Sequence, residues 1–370
     1  MRPKQRPGGN GVIRSAPAWA AALALAFPLH AYGRPAGYPR SYDRIVEQAN
    51  KERKIVIYAN THRKVAYDLF SAFRKLYPSI NITYVDGTAD SLNDRLVREV
   101  AQHHPTADLI WSSGVNLQAK LINDGYAQVY SSPEKPNLPN LAVWKDQGYG
   151  VNFEPIVIAY NRRLVPPADV PHSHLDLTRL LQVKAKQYQG KVATYDDAVS
   201  EFGRLTLFHD LRATHDTWDL VRALGVAHVR FYQTSAVMLD DISSGQVLIG
   251  YNLVGSSALE HQARDPNIGV VFPKDYLLTA LPVALIPAEA AHPNAAKLFL
   301  DFLLSREGQS ILARHKFTPV RLDMAASLGW NPSDPDRVRT IRLGPSLLAD
   351  LDQQNRARLI KDWRRNMSVH

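Results

Sequence analysis

The sequence predicts an α/β fold of two lobes with a ligand cleft between them, on three observations. Between Lys54 and Tyr130, short apolar runs alternate with amphipathic segments in the order strand, helix, strand, helix, strand, helix. A second alternation follows Tyr149. Long β segments at 149–161, 268–272 and 281–286 are placed to carry the chain out of the first lobe and back, which implies a hinge.

Each element has its own warrant. Tyr42 to Arg53 reads as a helix leading into the first strand, Ile55-Val56-Ile57-Tyr58. The helix over 64–77 carries Val65, Leu69, Phe73 and Leu76 on one face, and the helix over 90–102 repeats this with Leu92, Leu96, Val97 and Val100. The third strand is Ala107-Asp108-Leu109-Ile110-Trp111. Helix 115–124 stops at Asp124-Gly125, where Gly accepts a left-handed C-cap, and Ala127 to Tyr130 reads as a short strand. Ser131 to Pro139 is a surface connection. Within 149–161, Ile156-Val157-Ile158-Ala159-Tyr160 is nearly continuous apolar sequence, as in strands buried on both faces. Pro166, Pro167 and Pro171 mark a loop. Strand 192–194 precedes helices at 199–211, 215–224 and 236–243, and strand 247–251 precedes a helix beginning near Ser256. Pro293 suits the first turn of helix 293–304, whose Ala296, Phe299, Leu300 and Leu303 share a face. A last amphipathic helix spans Leu347 to Trp363. The expected division is 42–145 with 274–320 in lobe one, and 146–273 with 321–370 in lobe two.

Composition bounds the setting. The chain has 370 residues, 45% of them hydrophobic, enough for two cores. No internal apolar run reaches the roughly 18 residues of a membrane span. Arg2, Lys4, Arg6 and Arg14 precede a short apolar run, Ala18 to Phe27, and Leu29-His30-Ala31 offers a cleavage site. Residues 1–31 therefore read as a signal peptide, with a periplasmic mature chain. There is no cysteine, hence no lipid attachment site and no disulfide, and a core of this size needs neither. Net charge is +9, and removing the four basic residues of 1–31 leaves about +5. No dense basic run is interleaved with aromatics, which argues against a nucleic-acid partner. A mild positive balance suits an anionic ligand or simple solubility.

In open α/β sheets, ligands sit beyond the carboxyl ends of strands, where the following helices point their N-termini. The first strand ends in Asn60-Thr61-His62 and the third in Ser112-Ser113-Gly114. Thr61, His62, Ser112 and Ser113 are thus candidate ligand contacts, with helix capping as the plain alternative. From the second lobe, Ser200, Asn252, Gly255 and Ser256 approach the same cleft, Gly255 by letting backbone come close. Tyr276, near the return crossing, is placed to stack on a ligand. Asn152 and Glu154 lie at the first crossing, where a structural role is expected. His103-His104 and His172-Ser173-His174 have no matching second cluster and read as surface, so no metal or cofactor is expected. Asp196-Asp197 and Asp240-Asp241 are neighbours that face different ways and form no acid/base dyad. No Walker, G-x-S-x-G, H-E-x-x-H or G-x-G-x-x-G motif occurs.

The order of Ile55-to-Tyr58 with His62, Ala107-to-Ser112, Ile156-to-Asn161, Gly245-Gln246-Val247 and Pro293-to-Gln309 resembles the bacterial extracellular solute-binding proteins of ABC importers, in the group related to ferric-iron-binding proteins. The likeness covers about Ile45 to Leu312. It implies a type II periplasmic binding fold, no catalysis, a small-molecule solute, an inner-membrane ABC permease as partner, and a monomer. Iron-binding relatives use a His, a Glu and an adjacent Tyr pair. Here His62 falls at the His position, Ser113 at the Glu position and Gly255-Ser256 at the Tyr pair. Ferric iron wants carboxylate and phenolate oxygen, which these residues do not supply. The stretch Tyr251 to Ser256 is more similar to branches that bind phosphorylated or carboxylated molecules, phosphoglycerate-type proteins being nearest. Alternatives are a ferric-iron or iron-chelate binding protein, a solute sensor for a membrane histidine kinase, and an enzyme on the same fold.

Overall fold

The computed structural model describes residues 33–327, 334 and 336–368, and the expected signal segment, 1–31, lies outside them. The first half follows the predicted alternation. Helix α1 (Tyr42–Glu52) feeds β1 (Lys54–Ala59), followed by α2 (Arg63–Leu76), β2 (Asn81–Asp86), α3 (Ala89–Ala101), β3 (Leu109–Ser112) and α4 (Val115–Asn123). Strand β1 pairs in parallel with β2 on one side and β3 on the other. The helix spacing acts as expected: α2 buries Val65, Leu69 and Phe73, and α3 buries Leu92 and Leu96. Gly125, at φ 84°, ends α4 in the left-handed region where a side chain is disfavoured. Ala127 to Tyr130 is not a strand. It makes a single antiparallel bridge, Ala127 to Pro287, and no ladder.

The predicted β segment 149–161 divides at Val151. Strands β4 (Val143–Trp144) and β5 (Gly148–Gly150) finish one side of the first sheet, and β6 (Asn152–Asn161) opens the second. One apolar run thus serves two sheets. Next come α5 (His174–Tyr188), β7 (Val192–Tyr195), α6 (Glu201–Ala213), α7 (Thr217–Val226), β8 (Arg230–Tyr232), α8 (Ser235–Ser244), β9 (Ile249–Val254), α9 (Gly255–Arg264), β10 (Ile268–Val271) and β11 (Leu277–Ala280). Strand β10 does not return the chain to the first sheet: both β10 and β11 pair antiparallel with β6. The return falls at Leu281-Pro282, where proline lacks the N–H a continuing ladder needs. Strand β12 (Val283–Leu285) then inserts antiparallel between β3 and β5.

Helices α10 (Pro293–Leu304) and α11 (Arg306–Arg314) pack on the first sheet's core, and β13 (Thr318–Pro319) pairs with the start of β6. Strand β14 (Val338–Thr340) pairs in parallel with β11. The C-terminal helix breaks in two, α12 (Leu348–Leu351) and α13 (Gln353–Met367), because Asp352 turns extended to cap Asn355. The sheet orders are β2-β1-β3-β12-β5-β4 and β14-β11-β6-β9-β7-β8.

The cores explain how the sheets are joined. An aromatic cluster including Phe70, Phe73, Phe299 and Phe302 fills one side of the first sheet, with Phe73 edge-on to Phe299 at 5.2 Å. A second cluster runs through both halves: Ile110 and Leu121 pack with Leu205 of α6, Leu278 of β11, and Ile341 and Leu347 of the C-terminal segment. Helix α5 escaped the sequence reading because Pro166, Pro167 and Pro171 masked it. Its signal was present: Ser173 caps it by accepting from the Asp176 amide at 2.9 Å, and Leu177 and Leu181 are buried.

Candidate functional site

The carboxyl ends of β1 and β3 lie side by side, and their loops are tied together. Asn60 donates to Ser113 Oγ at 2.8 Å, and the Ser113 amide donates back to Asn60 Oδ1 at 3.1 Å. Ser112 is buried, and its hydroxyl accepts from the Gly114 amide at 3.1 Å. The capping expected of Thr61 is not made. His62 holds the N-cap position of α2 without a side-chain bond, and the Thr61 carbonyl accepts from Tyr84 Oη at 2.6 Å. His62 is exposed.

Helix α6 supplies the facing half. Ser200 is its N-cap, accepting from the Gly203 amide at 3.1 Å. One turn in, Arg204 is buried at 6% exposure. Its guanidinium donates to the Asp197 and Ala198 carbonyls at 3.2 and 3.0 Å and to Glu201 at 2.6 Å. Its Nε is buried with no hydrogen-bond partner among the described residues. Across the seam, Asn116 of α4 donates to Glu201 at 2.6 Å, and Arg356 of α13 reaches the same carboxylate at 2.9 Å. Asp90, in the first turn of α3, is pushed up from the usual carboxylate range by burial and by Glu201. The starts of α3, α4 and α6 therefore meet, each bringing the partial positive charge of a helix N-terminus. Asp197, between β7 and α6, is pushed up to about 8 by burial, with Asp210 and Asp196 adding to it and Arg204 opposing. At neutral pH it is mostly uncharged, so Arg204 and Arg356 face Glu201 as the main anion.

The other named residues form two separate groups. The Ser256 amide and hydroxyl donate to Glu154 at 2.7 and 2.9 Å, so the chain's own carboxylate sits at the N-terminus of α9. Burial pushes Glu154 up to about 7 against the pull of those two donors and Asn152. Gly255 has a reason other than ligand approach: a Cβ there would lie 2.6 Å from the Pro155 carbonyl oxygen. Asn252 and Tyr276 converge on Asp210, in the interior of the second half. Tyr251 Oη, Asn252 Nδ2 and Tyr276 Oη donate to that fully buried carboxylate at 2.7, 2.9 and 2.9 Å. Burial and Asp210 push both tyrosine hydroxyls upward. Asn252 lies at φ 62°, where β9 slips register against β6, and asparagine tolerates that backbone better than most residues. His174 is not at the surface as expected. It is buried, bonds Asp275 at 2.9 Å and stacks on Tyr276 at 4.1 Å.

Of the expected contacts, Ser112 and Ser113 are together, Thr61 and His62 adjoin them, and Ser200 heads the facing helix. Sequence reasoning missed Asn60, Asn116, Asp197, Glu201 and Arg204. The Ser200-Glu201 start of α6 signalled a helix N-terminus but not the arginine one turn on. Among the described residues, no group of three or more His, Asp or Glu side chains could hold a metal ion.

Comparison with known proteins fits this architecture. A family model described as bacterial extracellular solute-binding protein matches residues 68–337. The substrate-binding protein of an ABC transporter from Agrobacterium tumefaciens is 32% identical, with TM-score 0.78, over 85% of this chain and 94% of that one. Iron-bound HitA from Pseudomonas aeruginosa is 18% identical, TM-score 0.68, over 85% of this chain and 99% of that one. AfuA from Actinobacillus pleuropneumoniae, with exogenous fructose-6-phosphate bound, is 17% identical, TM-score 0.66, over 86% and 99%. No curated protein sequence matches the chain. Two sheets joined by crossings at Val151 and Leu281-Pro282, a family match over most of the chain and a relative of about one-third identity agree: this chain belongs to the bacterial extracellular solute-binding proteins of ABC transporters.

Proposed function

We propose that the chain captures a small organic anion, phosphorylated or carboxylated, at the seam between its lobes and hands it to an ABC permease in the inner membrane. The observation that carries this reading is Arg204, a buried cation with an unpartnered Nε beside the N-termini of α4 and α6. A buried guanidinium left one donor short favours an acceptor oxygen. Asn60 and Ser113, bonded to each other, and Ser200, the cap of α6, add neutral hydrogen-bonding groups to the proposed site, and such groups reject ligands that leave them unpaired. Thr61 and His62, which follow Asn60 at the end of β1, are the proposed contacts from lobe one. The ligand closes the lobes by touching both, and the permease reads the closed state. We divide the lobes at Val151 and Leu281-Pro282, with residues 1–31 as the export signal and the mature chain a periplasmic monomer that leaves its ligand chemically unchanged.

Two relatives illustrate the alternatives: HitA is iron-bound and AfuA holds fructose-6-phosphate. The seam's hydroxyls, amides and arginines suit the second chemistry: a hard trivalent cation needs several anionic oxygen ligands, and the seam's Glu201 is already paired with Arg204 and Arg356. A thermal-shift screen tests this directly. Sugar phosphates, three-carbon phosphorylated acids and di- and tricarboxylates are compared with ferric iron alone. A ligand at 100 times its dissociation constant adds about 2.7 kcal/mol, a shift of several degrees. An organic anion is expected to give that shift and to be recovered unaltered. A shift with bare ferric iron alone would contradict the reading.

A further inference from the structure

Glu201, the first residue of α6, makes within the chain the contacts that an anion at the seam would make. Its side chain is 5% exposed. One carboxylate oxygen accepts from Asn116 of α4 at 2.6 Å. The other accepts from Arg204 Nη2 at 2.6 Å and from Arg356 Nη2 of α13 at 2.9 Å. Asn116 is buried and lies on the helix that follows β3 of the first sheet, whereas α6 follows β7 of the second. A single carboxylate thus engages two guanidinium groups and bridges the two sides of the seam.

The pairing is weaker than the same two groups allow. A guanidinium and a carboxylate bond best as two parallel N–H···O contacts. On Arg204, Nη1 is spent on the Asp197 and Ala198 carbonyls, so the edge left for an anion is the pair Nε and Nη2. Glu201 takes only Nη2, because its second oxygen is turned to Asn116. Nε stays buried with no hydrogen-bond partner among the described residues. An oxyanion that presents two oxygens side by side to this edge makes the bond that Glu201 leaves unmade. It cannot share the edge at no cost, since its charge then lies against that of Glu201.

We propose that Glu201 is an internal competitor for the ligand anion: an entering oxyanion displaces its carboxylate from Arg204 by spanning Nε and Nη2 together, and Glu201 thereby sets the affinity of the seam. This rests on the proposed capture of an anion at Arg204. Its consequence for selectivity is that an anion with a single acceptor oxygen for Arg204 gains nothing over Glu201, whereas phosphate and carboxylate groups, with two oxygens to offer, gain one charge-assisted hydrogen bond.

Titration calorimetry on the whole chain tests this, with inorganic phosphate and the best organic anion of the thermal screen as separate probes. Three proteins are compared: the native sequence, Glu201→Gln and Glu201→Asp, each checked for folding by circular dichroism. Glu201→Gln keeps the size of the side chain and removes its charge. Glu201→Asp keeps a charge at the start of α6 and retracts the carboxylate by one methylene, so it serves if Glu201→Gln does not fold. The expected result is binding at least about tenfold tighter in Glu201→Gln than in the native protein, with Glu201→Asp between the two. A residue that only positions Arg204 gives the opposite sign. Equal or weaker binding in the folded variants, with the organic anion still bound by the native protein, overturns the competitor and leaves capture at the seam standing. Binding of neither probe by any of the three proteins overturns both.

Discussion

Ser256 and Asn252 illustrate how single side chains here hold buried carboxylates. Ser256 gives Glu154 a backbone and a hydroxyl donor. Ser256→Ala removes the hydroxyl and leaves one oxygen of a buried carboxylate poorly satisfied. The expected cost is about 1–3 kcal/mol in denaturant unfolding, with Glu154 titrating above its native value near 7. An unchanged unfolding midpoint would contradict the bond's role. Asn252 carries two functions at once, a left-handed backbone and a donor to Asp210. Asn252→Gly keeps the first and loses the second, whereas Asn252→Ala loses both. Ala is therefore expected to be less stable than Gly by about 1 kcal/mol, measured by chemical denaturation. The sequence showed Ser256 and Asn252 as polar residues at a strand end. It did not show that the chain's own carboxylates face them, since Glu154 and Asp210 are 102 and 42 residues away.

At the scale of elements, the helix N-termini that meet at the seam were legible, and their contacts were not. The alternation from Lys54 to Asn123 follows the apolar spacing almost residue for residue, because each helix has one buried face and each strand is flanked by turn residues. Errors gathered where one apolar run serves two sheets. Segment 149–161 reads as one strand, and the strand expected at 281–286 leaves out β11 at 277–280; only pairing reveals the crossings at Val151 and Pro282. Helix α6 carries the element-scale prediction. Ser200→Ala removes its cap and should cost about 0.5–2 kcal/mol of stability. It should also weaken ligand binding, because the cap orients the turn that bears Arg204. Stability lost with affinity retained would place the ligand elsewhere.

Over the whole molecule, buried carboxyls set the pH response. Burial pushes Glu154 and Asp301 up to about 7 and Asp197 up to about 8, from ordinary values of 4.5, 3.8 and 3.8. A carboxyl raised on folding binds more protons in the native than in the unfolded state between those values. Its contribution is full below about 4 and is lost as pH rises through 7 to 8. Asp124, Asp169 and Asp323, lowered by Lys120, Lys184 and Arg321, act oppositely and lose stability only as pH falls through the acid range. The thermal midpoint is therefore expected to be higher near pH 5.5 than near pH 8, and scanning calorimetry at the two values checks it. A higher midpoint at pH 8 would contradict the assignment of these three groups.

The proposed function turns on a ligand anion held by Arg204 at the seam. Titration calorimetry with the best anion from the thermal screen, on the native protein and on Arg204→Gln with folding checked by circular dichroism, addresses it most directly. One tight site is expected in the native protein and a loss of at least about tenfold in the variant, since a charge-assisted hydrogen bond is worth about 1.5–3 kcal/mol. Full affinity in a folded Arg204→Gln protein would contradict it.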